Sequence, residues 1–331
     1  MSANIRTASA ESIAEAARLL RAGELVAFPT ETVYGLGADA SNPSALRRLF
    51  EAKGRPADHP VIVHVADLAQ AERWAAAMPA GARALALAFW PGPLTLIVPR
   101  AVQVSEAVTG GQASVGLRVP SHPVARALLA EFGGGIAAPS ANRFGHVSPT
   151  TALHVADDLA DAVALILDGG PCDVGIESTI VAFDGDTPML LRPGGIGADA
   201  IAAALGRVPI QGGASAPRAS GTLASHYAPR TPSTLVSGEA LRAELVQLGD
   251  RDERVAVLAR DVAIPEAFDG LWIRAPRDAV AYARALYANL RALDAAGADA
   301  ILIEDVPVDP AWTAVRDRLA RATAGIDDDR D

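Results

Sequence analysis

Lys53 is the sole lysine among 29 cationic residues in a chain of 331, the other 28 being arginine. It stands in the segment AKGRPADHP, two residues before Arg55. A lysine brings a compact point charge with three donors, an arginine a planar fork. With Pro56 and Pro60 stiffening the chain beyond Gly54, the pair forms a concentrated cationic hook for phosphate, expected at the exposed edge of a cavity. Other segments place short polar side chains beside apolar runs. FPTETVYGLGADA carries Thr30, Glu31, Thr32 and Tyr34 ahead of glycines that let backbone approach a ligand. APSANRFGHVSP follows GGIAA with Ser140, Asn142 and Ser148, donors and acceptors suited to reading the edge of a small molecule. IEST sets Ser178 and Thr179 at a strand start, and LRPGGI sets Arg192 at a strand end. Taken singly, these polar segments serve equally as caps or turns.

Several common chemistries lack their parts. A Walker A loop needs Gly-Lys-Ser/Thr, whereas Lys53 is followed by Gly54, and the chain has no G-x-S-x-G, H-E-x-x-H or C-x-x-C. Gly35-Leu-Gly37 and Gly195-Ile-Gly197 both open a G-x-G-x-x-A pattern, but among 29 glycines these read as turn and helix-start residues. His59 and His64 have no carboxylate or thiol at ligand spacing, so no metal site is assigned.

The positioning elements follow an α/β pattern. Ser12 and Glu15 have capping-box spacing before an apolar face of Ile13, Ala17 and Leu20, which predicts a helix ending at Gly23. Asn42 and Pro43 predict the N-cap and first residue of a second helix that stops at Gly54 and carries Lys53 at its C-terminus. Strands are expected at LVAFPT, VIVHV, LTLIV, SVGLRV, GGIAAPS, ALILD, STIVAF and PMLLR, the last two antiparallel across DGDT. Helices are expected over 67–89, 123–132 and 150–158. The segment 206–232 is rich in Gly, Pro, Ser and Ala without a period and reads as a linker. Beyond it, TLVSG, RVAVLA and AILIEDV alternate with helices at 238–247, 277–295 and 310–323, a compact second α/β unit.

Length is consistent with two domains, and 50% hydrophobic residues with a globular chain. The single cysteine, Cys172, allows no internal disulfide, and Glu11 and Glu15 interrupt the N-terminal apolar run, so a cytoplasmic location with no membrane span is expected. A net charge of −10 argues against a broad electrostatic grip on nucleic acid. Neither half is basic: 14 cations face 20 acids before residue 206, and 15 face 19 after it.

Together, FPTETVYGLG, AKGRPADHP, FWPGPLT, VGLRVP, APSANRFGHVSPT, IESTI and LRPGGI resemble, in order and spacing, the YrdC-like threonylcarbamoyl-AMP synthase family. SGTLASHYAPRTP is similar to the linker of its long, two-domain form, with Ser220 where the family commonly has proline. The resemblance implies an α/β fold: a YrdC-like twisted mixed sheet with helices around a deep cationic cavity, plus a smaller Rossmann-like α/β C-terminal domain. The catalytic domain would span 1–205, a lid-like linker 206–232 and the C-terminal domain 233–331. The implied reaction joins L-threonine, bicarbonate and ATP into threonylcarbamoyl-adenylate and pyrophosphate. Downstream tRNA threonylcarbamoyl-transfer proteins would use the product beside the anticodon, without stable tRNA binding by this chain.

By the same resemblance, Lys53 and Arg55 hold the triphosphate and are the catalytic pair, with His59 near the phosphates. Ser114, Ala138, Ser140, Asn142, Ser148, Arg192 and Tyr227 contact the nucleotide. Thr32, His64, Arg118 and Ser178 hold threonine, Arg118 pairing its carboxylate. Mg2+ accompanies the ATP. Two rival readings are a carbamoyl-adenylate-handling transferase, which needs zinc fingers that a lone cysteine cannot build, and an RNA-binding or ribosome-associated module, supported by Arg47, Arg48, Lys53 and Arg55.

Overall fold

The computed structural model describes residues 4–213, 216–223, 225–248 and 253–324. Contacts divide the chain into two units, Met1–Phe144 with Ser148–Thr222 and Gly145–Val147 with Leu223–Asp331. The division falls inside the segment expected as a linker.

In the first unit the chain runs β1 (Ile5–Thr7), α1 (Ala10–Arg21), β2 (Val26–Phe28), β3 (Gly35–Asp39), α2 (Pro43–Lys53), β4 (Ile62–His64), α3 (Leu68–Glu72) and α4 (Ala80–Phe89). It continues through β5 (Leu94–Pro99), α5 (Glu106–Thr109), β6 (Ser114–Arg118), α6 (Pro123–Phe132), β7 (Ile136–Ala137), α7 (Ala152–Leu159) and β8 (Leu165–Asp168). β9 (Thr179–Asp184), β10 (Thr187–Arg192), α8 (Ala198–Leu205) and β11 (Ile210–Gln211) complete it. Among the described residues, eleven strands form one mixed sheet in the order β1-β8-β2-β3-β7-β4-β6-β5-β9-β10-β11. β9 and β10 pair antiparallel, as the DGDT turn predicts.

Local signals explain the helix ends. Asn42 accepts from the Ser44 and Ala45 N–H groups, Pro43 needs no N–H partner at the first turn, and Gly54 closes α2 with φ 62°, a left-handed cap. α1 begins earlier than expected: Ser9 is the N-cap and pairs reciprocally with Ser12, so the box is Ser9–Ser12 and not Ser12–Glu15. Serine at the third position can fill the glutamate role because its hydroxyl reaches the cap N–H at 2.8 Å. Gly35 and Gly37 are not turn residues; they lie in β3. A Cβ on Gly37 would meet the Phe28 ring at 2.9 Å and the Val26 carbonyl at 3.0 Å, so the absence of a side chain is a packing requirement within the sheet.

Alternation along the strands sorts side chains onto two faces. Val26, Phe28, Leu165 and Leu167 join Ala16, Ala17 and Leu20 of α1 and Ala125, Leu128 and Leu129 of α6 in one core. Ala27, Ile166, Val63, Leu96 and Val181 face the other way, into a larger core. Farther along the sheet, Ile62, Ile97, Ile180, Ala182 and Met189 form an apolar patch that Ala216 and Ala219 cover. Residues 216–222 thus form a strap on the first unit. Gln112 accepts from the Arg218 N–H at 2.7 Å and donates to its carbonyl at 3.1 Å, and Ser220 donates to the Pro60 carbonyl at 2.8 Å. A gap of about 10 Å³ remains beneath the strap, room for about one water.

The second unit contains β12 (Ser233–Val236), α9 (Gly238–Leu248), β13 (Val255–Ala259), β14 (Trp272–Arg274), α10 (Ala279–Asp294), β15 (Ala300–Glu304) and α11 (Thr313–Ala322). Its strands are all parallel, in the order β12-β15-β13-β14. β13, paired on both sides, is buried throughout, the pattern expected of an inner parallel strand. Glu304 ends β15, and its buried Oε2 accepts from the N–H groups of Arg260, Asp261 and Val262, fixing the turn after β13.

Ala219→Asp places a carboxylate on the apolar patch under the strap, which costs about 1–3 kcal/mol without a partner. Hydrogen–deuterium exchange across 216–223 is expected to accelerate by at least about fivefold while exchange in β5 and β6 stays unchanged.

Candidate active site

Many of the residues expected to read a ligand stand on β7, β4, β6, β9 and β10 or the turns beside them, whereas Lys53 ends α2, Thr32 lies in the turn between β2 and β3, and Tyr227 belongs to the second unit. Lys53 ends α2, and its Nζ donates to the carbonyls of Ser140 at 2.6 Å and Asn142 at 2.5 Å. Asn142 Oδ1 lies at 3.5 Å. The segment after β7 is held in turn by the Phe144 N–H on the Lys53 carbonyl, at 2.8 Å. Lys53 and Arg55 are not at an exposed edge: they retain 3% and 8% of their surface, because Gly54 turns the chain inward and Arg55 donates to the Pro60 carbonyl at 2.8 Å. Burial pushes Lys53 well below the usual lysine range, and repulsion by Arg55 adds to the shift.

Arg55 also lies over the Phe144 ring at 5.5 Å, and His59 meets the same ring edge-on at 5.4 Å. Partial burial and then the Arg55 charge lower the His59 pKa. Across the sheet, Arg192 grips the start of β9, with Nε on the Ser178 carbonyl at 3.0 Å and Nη2 on its hydroxyl at 3.1 Å. The Ser178 hydroxyl is also 2.8 Å from Thr95 Oγ1. The strap joins these groups: the Ser220 carbonyl accepts from Arg192 at 2.7 Å, and Ser220 Oγ lies 3.5 Å from Arg55 Nη2. Ser114 begins β6 and lines the gap under the strap. The Ala138 N–H donates to Ile62 in the neighbouring strand at 3.0 Å, and Ser148 donates to the buried Glu177 at 2.6 Å.

The third cluster is the most enclosed. His64 on β4 and Arg118 on β6 are Cα partners in the parallel ladder. Arg118 is 4% exposed, with Nη1 on Thr32 Oγ1 at 2.9 Å and Nη2 on Glu31 at 2.6 Å. Arg118 Nε and His64 Nδ1 are buried without a hydrogen-bond partner, an arrangement that a ligand would relieve. Burial, then the Arg118 charge, pushes the His64 pKa down to about 3, so its ring is neutral.

Tyr227 belongs to the second unit. It is 1% exposed with φ 63°, a conformation few non-glycine residues adopt, and it packs on Tyr287 at 5.7 Å and under Arg318 at 5.2 Å. Among the described residues, no group of three or more His, Cys, Asp or Glu is placed to hold a metal ion.

A family described as "Telomere recombination" matches residues 18–194, and one described as "Threonylcarbamoyl-AMP synthase, C-terminal domain" matches 196–324. The threonylcarbamoyl-AMP synthase of Bacillus subtilis strain 168 is 43% identical over 326 residues, covering 95% of this chain and 93% of the relative. The chain belongs to the threonylcarbamoyl-AMP synthase family. The synthase of Pyrococcus abyssi is 39% identical over 320 residues, 93% of each chain. A crystal structure of P. abyssi Sua5 complexed with L-threonine superposes with a TM-score of 0.88 at 37% identity, covering 97% of this chain and 96% of that one.

Three side chains of this threonylcarbamoyl-AMP synthase family member escaped assignment from sequence. Glu31 and Glu177 stand in segments already singled out, and each touches a residue that was assigned; the signal was a carboxylate beside a hydroxyl in an otherwise apolar setting. Phe144 gave no signal beyond its place between Asn142 and Ser148.

Two outcomes follow from this packing. A Cβ on Gly194 would lie 2.4 Å from the Thr179 nitrogen and 2.6 Å from the Glu177 carbonyl, so Gly194→Ala is expected to cost about 1–3 kcal/mol in urea unfolding. His64 has a folded pKa of about 3, below the ordinary histidine value of about 6.5. Between those values the unfolded chain binds a proton that the folded chain does not, so stability falls on acidification, by at most about 2 kcal/mol from this residue between pH 6.5 and 5. Urea unfolding at pH 7 and pH 5 is expected to show a smaller stability difference in His64→Gln.

Proposed function

We propose that this chain joins L-threonine, bicarbonate and ATP into L-threonylcarbamoyladenylate and pyrophosphate. The observation that carries the reading is the pair of unpartnered buried atoms, Arg118 Nε and His64 Nδ1, beside Thr32 in a unit that also buries Lys53, Arg55 and Arg192. A small zwitterion and a polyanion together satisfy such a site. The neutral amine of threonine attacks the carbon of bicarbonate-derived CO2, loses a proton and becomes a carbamate. A carbamate oxygen then attacks the α-phosphorus in line, and the bond to the bridging oxygen breaks as pyrophosphate leaves. Such a step needs alignment and charge neutralisation, not a protein nucleophile.

In this reading Arg118 holds the threonine carboxylate, with Thr32, His64 and Ser178 around the rest of the amino acid. Lys53 and Arg55 neutralise the phosphates, His59 stands near them, and Ser114, Ala138, Ser140, Asn142, Ser148 and Arg192 contact the nucleotide. The groups expected around the triphosphate are cationic and unsuited to caging a divalent ion, so Mg2+ enters as part of the MgATP substrate. The strap over Ser114 is the part of the lid-like linker that the first unit holds, and lifting residues 218–220 would open a way to Ser114 that reclosing would shield from water. The product, a mixed anhydride, is passed to proteins that transfer the threonylcarbamoyl group to tRNA adenosine. No helix among the described residues is long and apolar enough to cross a membrane, and we place the reaction in the cytoplasm.

Pyrophosphate release from ATP is expected to require both threonine and bicarbonate, with serine a poorer substrate and valine inert. Lys53→Ala and Arg55→Ala are each expected to lower turnover by at least about tenfold, with circular dichroism checking the fold. Release that ignores threonine, or near-normal turnover in both variants, would refute the assignment.

A further inference from the structure

Glu31 has no part in the reaction as assigned, yet its side chain and its backbone are both held. Its side chain is 7% exposed and ion-paired to Arg118, whose side chain is 4% exposed. Oε1 accepts from Arg118 Nη2 at 2.6 Å, while Oε2 accepts from the Ser121 N–H at 3.1 Å, three residues farther along the same chain segment. The Glu31 carbonyl accepts from the Val174 N–H at 2.7 Å, so one residue ties together the turns after β2, β6 and β8. The turn that presents it is stapled by Thr30 Oγ1, which accepts from the Thr32 and Val33 N–H groups, each at 3.2 Å, and donates to the Val33 carbonyl at 2.7 Å.

We propose that Glu31 is the positioning residue of the threonine site, fixing the plane of the Arg118 guanidinium so that its Nε edge faces the incoming carboxylate. The proposal rests on the reading of Arg118 as the threonine-carboxylate ligand. An arginine side chain turns freely unless its donors are engaged, and a planar fork binds a carboxylate well in one plane. Glu31 engages Nη2 and Thr32 engages Nη1, from the same rigid turn. What remains of the fork is Nε, buried and without a partner. Because both Glu31 oxygens are held, by Arg118 and by the Ser121 N–H, the carboxylate is a fixed anvil and not a second swinging group.

Calorimetric titration of L-threonine and of ATP, with steady-state kinetics, tests this on Glu31→Gln, Glu31→Asp, Arg118→Gln and the Gln/Gln double variant. Glu31→Gln is expected to weaken threonine binding and raise its KM by at least about tenfold, as loss of one member of a buried charge pair does. The ATP affinity and kcat at saturating threonine should stay within about twofold, and Glu31→Asp, which keeps the charge, should recover part of the loss. In the Arg118→Gln background, Glu31→Gln should add less than about twofold, because the effect runs through the arginine. Wild-type threonine affinity in Glu31→Gln would overturn the proposal. So would equal losses for threonine and ATP, or loss of folded protein in both Glu31 variants, since either marks a general structural role. A full, additive loss in the double variant would mean that Glu31 touches the substrate itself, which also overturns it. Unchanged threonine affinity in Arg118→Gln would refute the threonine site, and the positioning role with it.

Discussion

Burying positive charge is the constraint around which the first unit is built. Lys53, Arg55, Arg118 and Arg192 are each less than one-tenth exposed, and an ion taken out of water needs partners that replace its hydration. Backbone carbonyls supply much of the replacement: Ser140 and Asn142 for Lys53, Pro60 for Arg55, Ser178 and Ser220 for Arg192. A carbonyl engaged in a ladder is poorly placed for this, so the sheet must break where the cations are. β7 is two residues long and gives way to a turn with Pro139, Ser140 and Gly145, while β4, three residues long, is entered through a turn with Gly54, Pro56 and Pro60. Dipoles solvate the cations without neutralising them, which leaves the region prepared for a polyanion. Arg118 differs in having a carboxylate, Glu31, and correspondingly suits a small zwitterion better than a triphosphate.

That distinction explains which parts could be read from the chain. Capped helices such as α2 and strands with apolar alternation, such as β5 and β9, announce themselves because local physics and the fold agree. The short strands β1 and β14 carry too few residues to show a period. β3 is hidden for another reason: its glycines look like turn residues, and their packing role against Phe28 appears only when strands pair. The site residues were recognisable as types, but the depth of Lys53 and Arg55 was not. Exposed charge is the ordinary expectation, and only the carbonyls of a segment nearly 90 residues away make their burial tolerable. The role of Glu31 was concealed likewise, since Arg118 lies 87 residues from it.

The strap shows how a segment without periodicity can still be specified. Ala216 and Ala219 have small apolar surfaces that match the patch of Ile62, Ile97 and Ile180, while Gln112 completes the backbone hydrogen bonds of Arg218. Little apolar area is buried by two alanines, so the hold is modest compared with that of a core strand. A modest hold suits a cover more than a core element. Through Ser220 the strap also contacts Arg55 and Arg192, so it rests on two of the buried cations.

Donors and acceptors are unevenly shared around Arg118. Thr30 Oγ1 accepts from the Thr32 and Val33 N–H groups and donates to the Val33 carbonyl, so its lone pairs and its proton are engaged within its own turn. Thr32 Oγ1 accepts from Arg118 and lies 2.8 Å from Thr30 Oγ1, a contact in which either oxygen can be the donor. The Thr32 hydroxyl can therefore offer a proton or a lone pair. Arg118 can only donate, and its buried Nε is the donor without a partner. In the proposed threonine site a carboxylate, which brings no proton, is met best at Arg118. Valine would share that carboxylate and the amine but lack the hydroxyl, so discrimination against it would need a hydroxyl-reading group, and Ser178, held by Thr95 and Arg192, is the residue proposed for it.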